Sequence, residues 1–296
     1  MIMSGAALVV IASATRGIHK RRNMKHILRW ILICILLVTF ACSTYNLGSY
    51  WLDRKKSERL TEDIIEQAVQ VIDLAEPQTE TNQPSAPVET APEETVPEEV
   101  ILNEFAPITV DFGALEEEYK DIVAWIYCAD SKINYPVVQA EDNSYYLDRL
   151  PNGLGSIGGS IFLDYRNKED FSDFNSVLHG HNMRDGSMFG SLRNYRVQKH
   201  FDEHPIMYLL TPEQNYKLEV VAAYVASVNS YVYSFSNDEL SKQEFLDEMA
   251  EATARSDVPL SLNDRYLTLS TCAYDNKNAR YVLIGKLWKI QSDAAE

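Results

Sequence analysis

The sequence predicts a mainly β protein with added helices, its strands wrapped into a barrel, and three observations carry that reading. From Ile133 onward, short apolar runs alternate with Gly, Asn, Asp and Pro, the punctuation of closely turned strands. One stretch, residues 238–254, breaks this pattern by placing Leu240, Phe245, Leu246 and Met249 at helical spacing. A long apolar run near the N-terminus stands apart from everything after it. With 296 residues, 46% of them apolar, the chain can bury one sizeable core and still carry extra segments.

In chain order, residues 2–14 form an apolar run too short to cross a bilayer. The next run, residues 27–42 with flanks through Leu47, reaches the roughly 20 residues that a span needs. Lys20, Arg21, Arg22, Lys25 and Arg29 precede most of it, so the positive-inside rule puts the N-terminus in the cytoplasm and the chain beyond about residue 50 outside. Lys55 and Lys56 weaken that asymmetry without reversing it. A cleaved signal peptide would share this design, but no small-x-small site precedes Ser43. A lipid-modified Cys42 would want a small residue where Phe40 stands. The expectation is a cytoplasmic segment 1–24, an uncleaved single-pass anchor at 25–47 in the cell membrane, and an extracellular remainder. Met24-Lys25 would make a natural start for such an anchor, which would make residues 1–23 an upstream extension.

Past the anchor, Leu60, Ile64, Ala68, Val71 and Ile72 recur with helical periodicity among charged residues, predicting an amphipathic stalk helix within 48–75. Residues 76–106 change to Pro, Glu and Thr with almost nothing to bury, the composition of a disordered, self-repelling linker. Reach from the membrane and mere tolerance are equally open as its role. The charge follows these divisions: +8 over residues 1–57, −16 over 58–118 and −8 over 119–296. The acidity thus belongs mainly to one segment and says little about the ligand of the rest. With no basic patch interleaved with aromatics, nothing favours nucleic acid as a partner.

The main domain is expected over 107–290, followed by a short tail, 291–296. Residues 115–126 read as a helix, and strands are predicted at 160–163, 176–178, 206–210, 216–228, 266–271 and 280–290. The helix-like stretch 238–254 precedes the strand that ends near Cys272. Cys272 and Arg280 thereby stand at the facing ends of one hairpin. A thiolate is the reactive form of cysteine and is favoured by nearby positive charge, and an arginine can meet the oxyanion that its attack creates. The pair lacks a proton acceptor. Of six histidines, His19 and His26 belong before the membrane span, leaving His179, His181, His200 and His204. His179-Gly180-His181 reads as a strand entering a loop, and Gly180 would let the backbone turn so that a side chain projects from the rim.

Thr-Leu-Ser-Thr-Cys at 268–272, Gly-His-Asn-Met at 180–183 and Ala-Arg-Tyr-Val at 279–282 resemble the motifs of a sortase. Ile-Asn-Tyr-Pro-Val-Val-Gln at 133–139, Asp-Asn-Ser-Tyr-Tyr-Leu at 142–147 and Asp-Gly-Ser-Met-Phe-Gly at 185–190 point to class B, over roughly residues 107 to 290. The resemblance implies a closed eight-stranded barrel with N-terminal helices and, as class B but not class A enzymes have, a helix inserted before the nucleophile strand. The missing C-terminal apolar run argues against the pilus-polymerising class C. It further implies a cysteine transpeptidase of Gram-positive bacteria with Cys272 as nucleophile, His181 as general acid and base, and Arg280 as oxyanion and peptide contact. Its partners would be surface proteins bearing a C-terminal sorting signal and an amino group of a cell-wall peptidoglycan precursor. Asn143, Leu147 and Ser270 match groove positions, and Tyr231 and Val232 align with others. Strand alternation puts Ser270 on the same side as Cys272. No metal or other cofactor is expected.

Other motifs have plainer readings. Gly153-x-Gly155-x-x-Gly158 follows Pro151 and leads into a strand, so it lacks the helix N-terminus that a dinucleotide pyrophosphate needs and reads as a loop. His200-x-x-Glu203-His204 matches an inverted zinc-peptidase pattern, but Pro205 would end the helix at the second ligand and no third ligand is evident. Cys128 is expected to be buried and inert instead of bridged to Cys272. A metallopeptidase of this His-x-x-Glu-His type, an inactive anchored binding protein and, within sortases, a pilin-linking enzyme remain the alternatives.

Overall fold

The computed structural model describes residues 5–72, 101–129, 131–273 and 279–292, with side chains from Leu28 onward. The expected basic flank before Arg29, most of the linker 76–106 and most of the C-terminal tail lie outside these descriptions. The chain divides into two units, Met1–Lys55 and Lys56–Glu296. Helix α1 (Gly5–Ala68) enters from the first, and from Leu28 onward it contains an 18-residue window with a mean hydropathy of 2.0, long and apolar enough to cross a membrane.

In the second unit the end of α1 is no free stalk. Leu60, Ile64, Ile65 and Ala68 turn one face into a cluster with Ile108, Leu115, Trp125, Leu210 and Ile290, and Ile64 is completely buried. The helix stops at Ala68, short of the expected Ala75, because β1 (Val69–Val71) pairs antiparallel with β2 (Ile108–Val110). The β-branched valines fit an extended strand better than a helix turn. The Ile72 N–H then donates to the Pro107 carbonyl at 3.0 Å. Residues 69–72 and 107–110, on either side of the linker, are therefore stapled to each other.

Helix α2 (Phe112–Glu116) is capped by the Asp111 carboxylate, which accepts from the Ala114 N–H. It is far shorter than the predicted helix over 115–126. Residues 122–127 instead form strand β3 (Ile122–Tyr127), whose alternating burial lets Ala124 and Ile126 face one core and Trp125 another. Helical periodicity and a two-sided buried strand look alike in so short an apolar run.

β4 (Asn134–Val138), β5 (Ile161–Leu163), β6 (Asn175–His179), helix α3 (Gln198–Glu203), β7 (Ile206–Leu210), β8 (Asn215–Ala226), helix α4 (Glu239–Ala250), β9 (Ala254–Arg255), β10 (Arg265–Cys272) and β11 (Arg280–Ile290) complete the chain. The order β11-β10-β6-β5-β4-β3-β7-β8 closes by pairing β8 with β11, giving an eight-stranded barrel with β9 added along β8. Parallel pairs at β4–β5 and β6–β10 make the sheet mixed, and closure leaves its main strands without open edges.

Leu267, Leu269, Tyr281 and Leu283 point into the barrel with Ile126, Leu178 and Phe189. Their neighbours Tyr266, Val282 and Ile284 point outward beneath α4, where Phe245 and Met249 cover them. The α4 cap is Asp238, which accepts from the Ser241 N–H at 2.9 Å, as expected for a helix inserted between β8 and β10. Gly153 to Gly158 form turns with no helix behind them, and α3 stops before Pro205, with the His200 and His204 rings stacked 4.1 Å apart.

Candidate active site

Three adjacent strand ends assemble the site. Cys272 and Arg280 are direct cross-strand partners at the open end of the β10–β11 pair, so their side chains rise side by side. On the other flank β6 runs parallel to β10, with His179 opposite Ser270. The loop that follows carries His181 out along the end of β10 that bears Cys272. That register is locked by the Gly180 N–H donating to the Ser270 carbonyl at 3.1 Å and the Thr271 hydroxyl donating to the Gly180 carbonyl at 2.7 Å. Asn182 Nδ2 donates to the Cys272 carbonyl at 2.7 Å, tying the histidine loop to the cysteine itself.

Because Leu267 and Leu269 face inward, Ser270 and Cys272 share the outer face, as strand alternation requires. Cys272 is exposed, whereas Cys128 is buried inside the barrel with its thiol directed at the Ala129 carbonyl; both are free thiols. Gly180 adopts no left-handed conformation. A Cβ there would come within 2.5 Å of Ile161 Cδ1 and 2.7 Å of Phe189 Cδ2, so the position is glycine to let β6 leave the barrel over a filled core.

Beside Cys272 a register row crosses four strands, Phe162, His179, Ser270 and Val282, all of them buried except the half-buried His179. One wall is the turn Tyr145–Leu147, where Leu147 is 43% exposed and its carbonyl meets His181 Nε2 at 2.7 Å. The other is the turn Tyr231–Tyr233. Tyr233 OH pairs with Ser270 Oγ at 2.7 Å, and the Tyr233 ring stacks on His179 with centroids 6.5 Å apart. Burial pushes the Tyr233 hydroxyl up to about 12, so it stays neutral and can exchange hydrogen bonds.

The expected groove residues divide. Leu147 and Tyr231 are exposed on the two turns, whereas Ser270 is buried with its hydroxyl paired to Tyr233. Val232 is not exposed either: its side chain is completely buried against Phe245 and Met249, and its carbonyl accepts from Asn175 Nδ2 at 2.9 Å. An apolar residue flanked by two tyrosines in a tight turn serves as the plug that holds the turn down. Asn143 spends its amide internally, donating to Asp164 Oδ2 at 2.8 Å and accepting from the Tyr165 N–H at 3.0 Å.

Asp164 was not singled out by the sequence, yet it organises this wall. Its side chain is fully buried, with Arg166 donating to both carboxylate oxygens at 2.8 Å and His179 Nε2 at 3.0 Å. Burial opposes its ionisation, but the hydrogen bonds from Arg166 and His179 outweigh that and hold the carboxyl well below the usual carboxylate range. The Asp164-x-Arg166 spacing at a strand end was the available signal. A depressed acid contributes stability above its unfolded value of about 4 and loses it as pH falls toward its folded value. Asp164→Asn should therefore cost about 2 to 3 kcal/mol at pH 7. In urea melts the gap to the parent protein should narrow as pH drops below about 4. A gap that is constant from pH 7 to pH 2.5 would refute the charge as its origin.

A sortase-domain family model matches residues 126–288. Sortase B of Listeria monocytogenes is 36% identical over 177 residues, covering 58% of this chain and 72% of the relative. Sortase B of Staphylococcus aureus is 36% identical over 184 residues, covering 60% and 75%. Among solved structures, sortase B from B. anthracis aligns with a TM-score of 0.62 at 30% identity, over 81% of this chain and 99% of that one. A Staphylococcus aureus sortase B–substrate complex aligns with a TM-score of 0.57 at 34% identity, over 61% and 85%.

Proposed function

The chain belongs to the sortase family, class B, and from that premise we propose that it cleaves a C-terminal sorting signal of surface proteins after a Thr and transfers the acyl group to an amino group of a cell-wall peptidoglycan precursor. The single observation that supports this reading is that Cys272 pairs with Arg280 at the end of β10 while the loop carrying His181 is bonded to the Cys272 carbonyl through Asn182.

The Cys272 thiolate attacks the carbonyl of the scissile amide, and the electron pair moves onto oxygen, where the Arg280 guanidinium next to it stabilises the charge. Collapse of that adduct breaks the C–N bond. His181 gives its proton to the leaving amine, and a thioester remains. The incoming amine attacks the thioester, His181 takes up its proton, and the thiolate leaves as the new amide forms. The order uses one proton-transfer group at one place for both halves. In the present geometry His181 Nε2 rests against the Leu147 carbonyl, so the wall residue and the general acid are in direct contact. Leu147, Ser270 and Tyr231 would bind the signal peptide, with Asn143 acting through Asp164. The long apolar helix supports a single-pass anchor with the N-terminus inside and the catalytic domain outside.

Incubating the protein with a library of sorting-signal peptides and quenching in acid should yield a mass increase on the peptide containing Cys272, equal to the acyl fragment ending in Thr. Hydroxylamine should discharge it. Absence of any adduct across the library, or an adduct on Cys128, would overturn the assignment.

A further inference from the structure

The wall formed by Tyr231–Tyr233 has no backbone ladder to hold it, since it lies between the end of β8 and α4. Besides the Val232 plug, the bond from Asn175 to its carbonyl and the Tyr233–Ser270 pair, the turn is held by a carboxylate from the inserted helix. Glu248 Oε1 accepts from the Tyr231 N–H at 3.0 Å, while Oε2 accepts from the Tyr224 hydroxyl at 3.1 Å and from the Ser230 hydroxyl. One side chain thus joins α4, strand β8 and the turn. The turn, so held, delivers Tyr233 OH to Ser270 Oγ, two residues from Cys272 on the same face. Tyr233 is within electrostatic reach of both Cys272 and Arg280.

We infer that Glu248 is a positioning residue of this enzyme: its carboxylate latches the Tyr231–Tyr233 turn into a fixed groove wall, so that the inserted helix sets peptide affinity without touching the peptide. The inference rests on the peptide-groove reading above. A carboxylate suits the task because it only accepts, and three donors from two elements converge on it. An amide of the same shape offers one accepting oxygen, so Glu248→Gln should weaken the latch and Glu248→Ala should release it. A released turn must be ordered at the moment of binding, and that cost falls on the bound complex more than on the chemical step.

The test compares the full chain with Glu248→Gln and Glu248→Ala, using the peptide from the library that acylates the parent protein fastest. KM should rise about threefold for the glutamine variant and about tenfold for the alanine variant, with kcat within about twofold. Alkylation of Cys272 by iodoacetamide, which needs no groove wall, should keep its rate. Hydrogen exchange at Tyr231 and its neighbours should quicken in the alanine variant while β10 and β11 stay protected. An unchanged KM in Glu248→Ala, a loss in kcat alone, or slowed alkylation with deprotected barrel strands would each overturn the latch. If the parent protein acylates with no peptide, that result counts against the groove reading, and the exchange data alone decide whether Glu248 holds the turn.

Discussion

Cys272→Ala is expected to bring peptide cleavage and amide formation down to background while leaving the barrel folded. Cys272 is exposed at the last residue of β10, and its backbone, not its thiol, holds the site together, through Asn182 and the pairing with Arg280. Removing the sulfur therefore deletes the nucleophile and little packing. A covalent route has no substitute nucleophile here, because Cys128 is buried inside the barrel. The loss should exceed about 1,000-fold, as for other nucleophile deletions. Arg280→Ala should lose about 100-fold or more from the missing oxyanion partner, and Arg280→Lys should recover only part, since a point charge lacks the planar fork. Peptide cleavage followed by mass spectrometry, beside thermal melts, checks both. Activity that survived Cys272→Ala and vanished with a chelator would favour the metallopeptidase reading. That reading depends on His200 and His204, whose rings stack on one another; among the described residues, no group of three His, Cys, Asp or Glu is placed to hold a metal.

A chain shortened to begin at residue 107 should be markedly less stable than one that keeps the end of α1. The shortened chain would expose the faces of Ile108, Leu115, Trp125 and Ile290 that Ile64 and Ala68 cover. Burying an isoleucine contributes about 2 to 3 kcal/mol, and with Ala68 and the partly buried Leu60, Ile65 and Val69 the loss should be on the order of 5 kcal/mol. For a domain of this size that lowers Tm by about 10 °C or more. Replacing residues 73–100 by a short Gly-Ser linker should do the opposite. Residues 69–72 and 107–110 stay joined through β1 and β2 and residue 102 stays bridged to β11, so a linker just long enough to reach residue 101 lowers the closure entropy by about 1 kcal/mol. Thermal melts of the two variants separate the cases. Equal melting of the 107–296 chain and the parent would show that the packed helix end contributes nothing.

Much of the fold was legible because it follows from local physics. Alternation and turn residues announced β5, β6, β7, β8, β10 and β11, and apolar spacing announced α4 between β8 and β10. Where two local readings fit one run, the sequence misled: residues 122–127 have helical spacing yet lie in a strand buried on both faces. The pairing of Cys272 with Arg280 was readable because the hairpin that joins them is local, whereas His181 was singled out only because its motif resembles that of the family.

By itself, then, the sequence determined six of the barrel strands, the inserted helix, the apolar N-terminal run and the chemical types of Cys272, His181 and Arg280. Tertiary structure alone decided that parallel pairing of β6 with β10 brings the histidine loop to the end of β10, where Asn182 bonds the Cys272 carbonyl, and that Asp164 gathers Asn143, Arg166 and His179. It also decided that Val232 is a plug, that Glu248 pins a wall, and that the stalk's end belongs to the core. The physical reason is the same in each case. Periodicity, capping and turn chemistry act between residues a few positions apart, whereas burial and the pairing of charges depend on which distant segments closure of the barrel brings together.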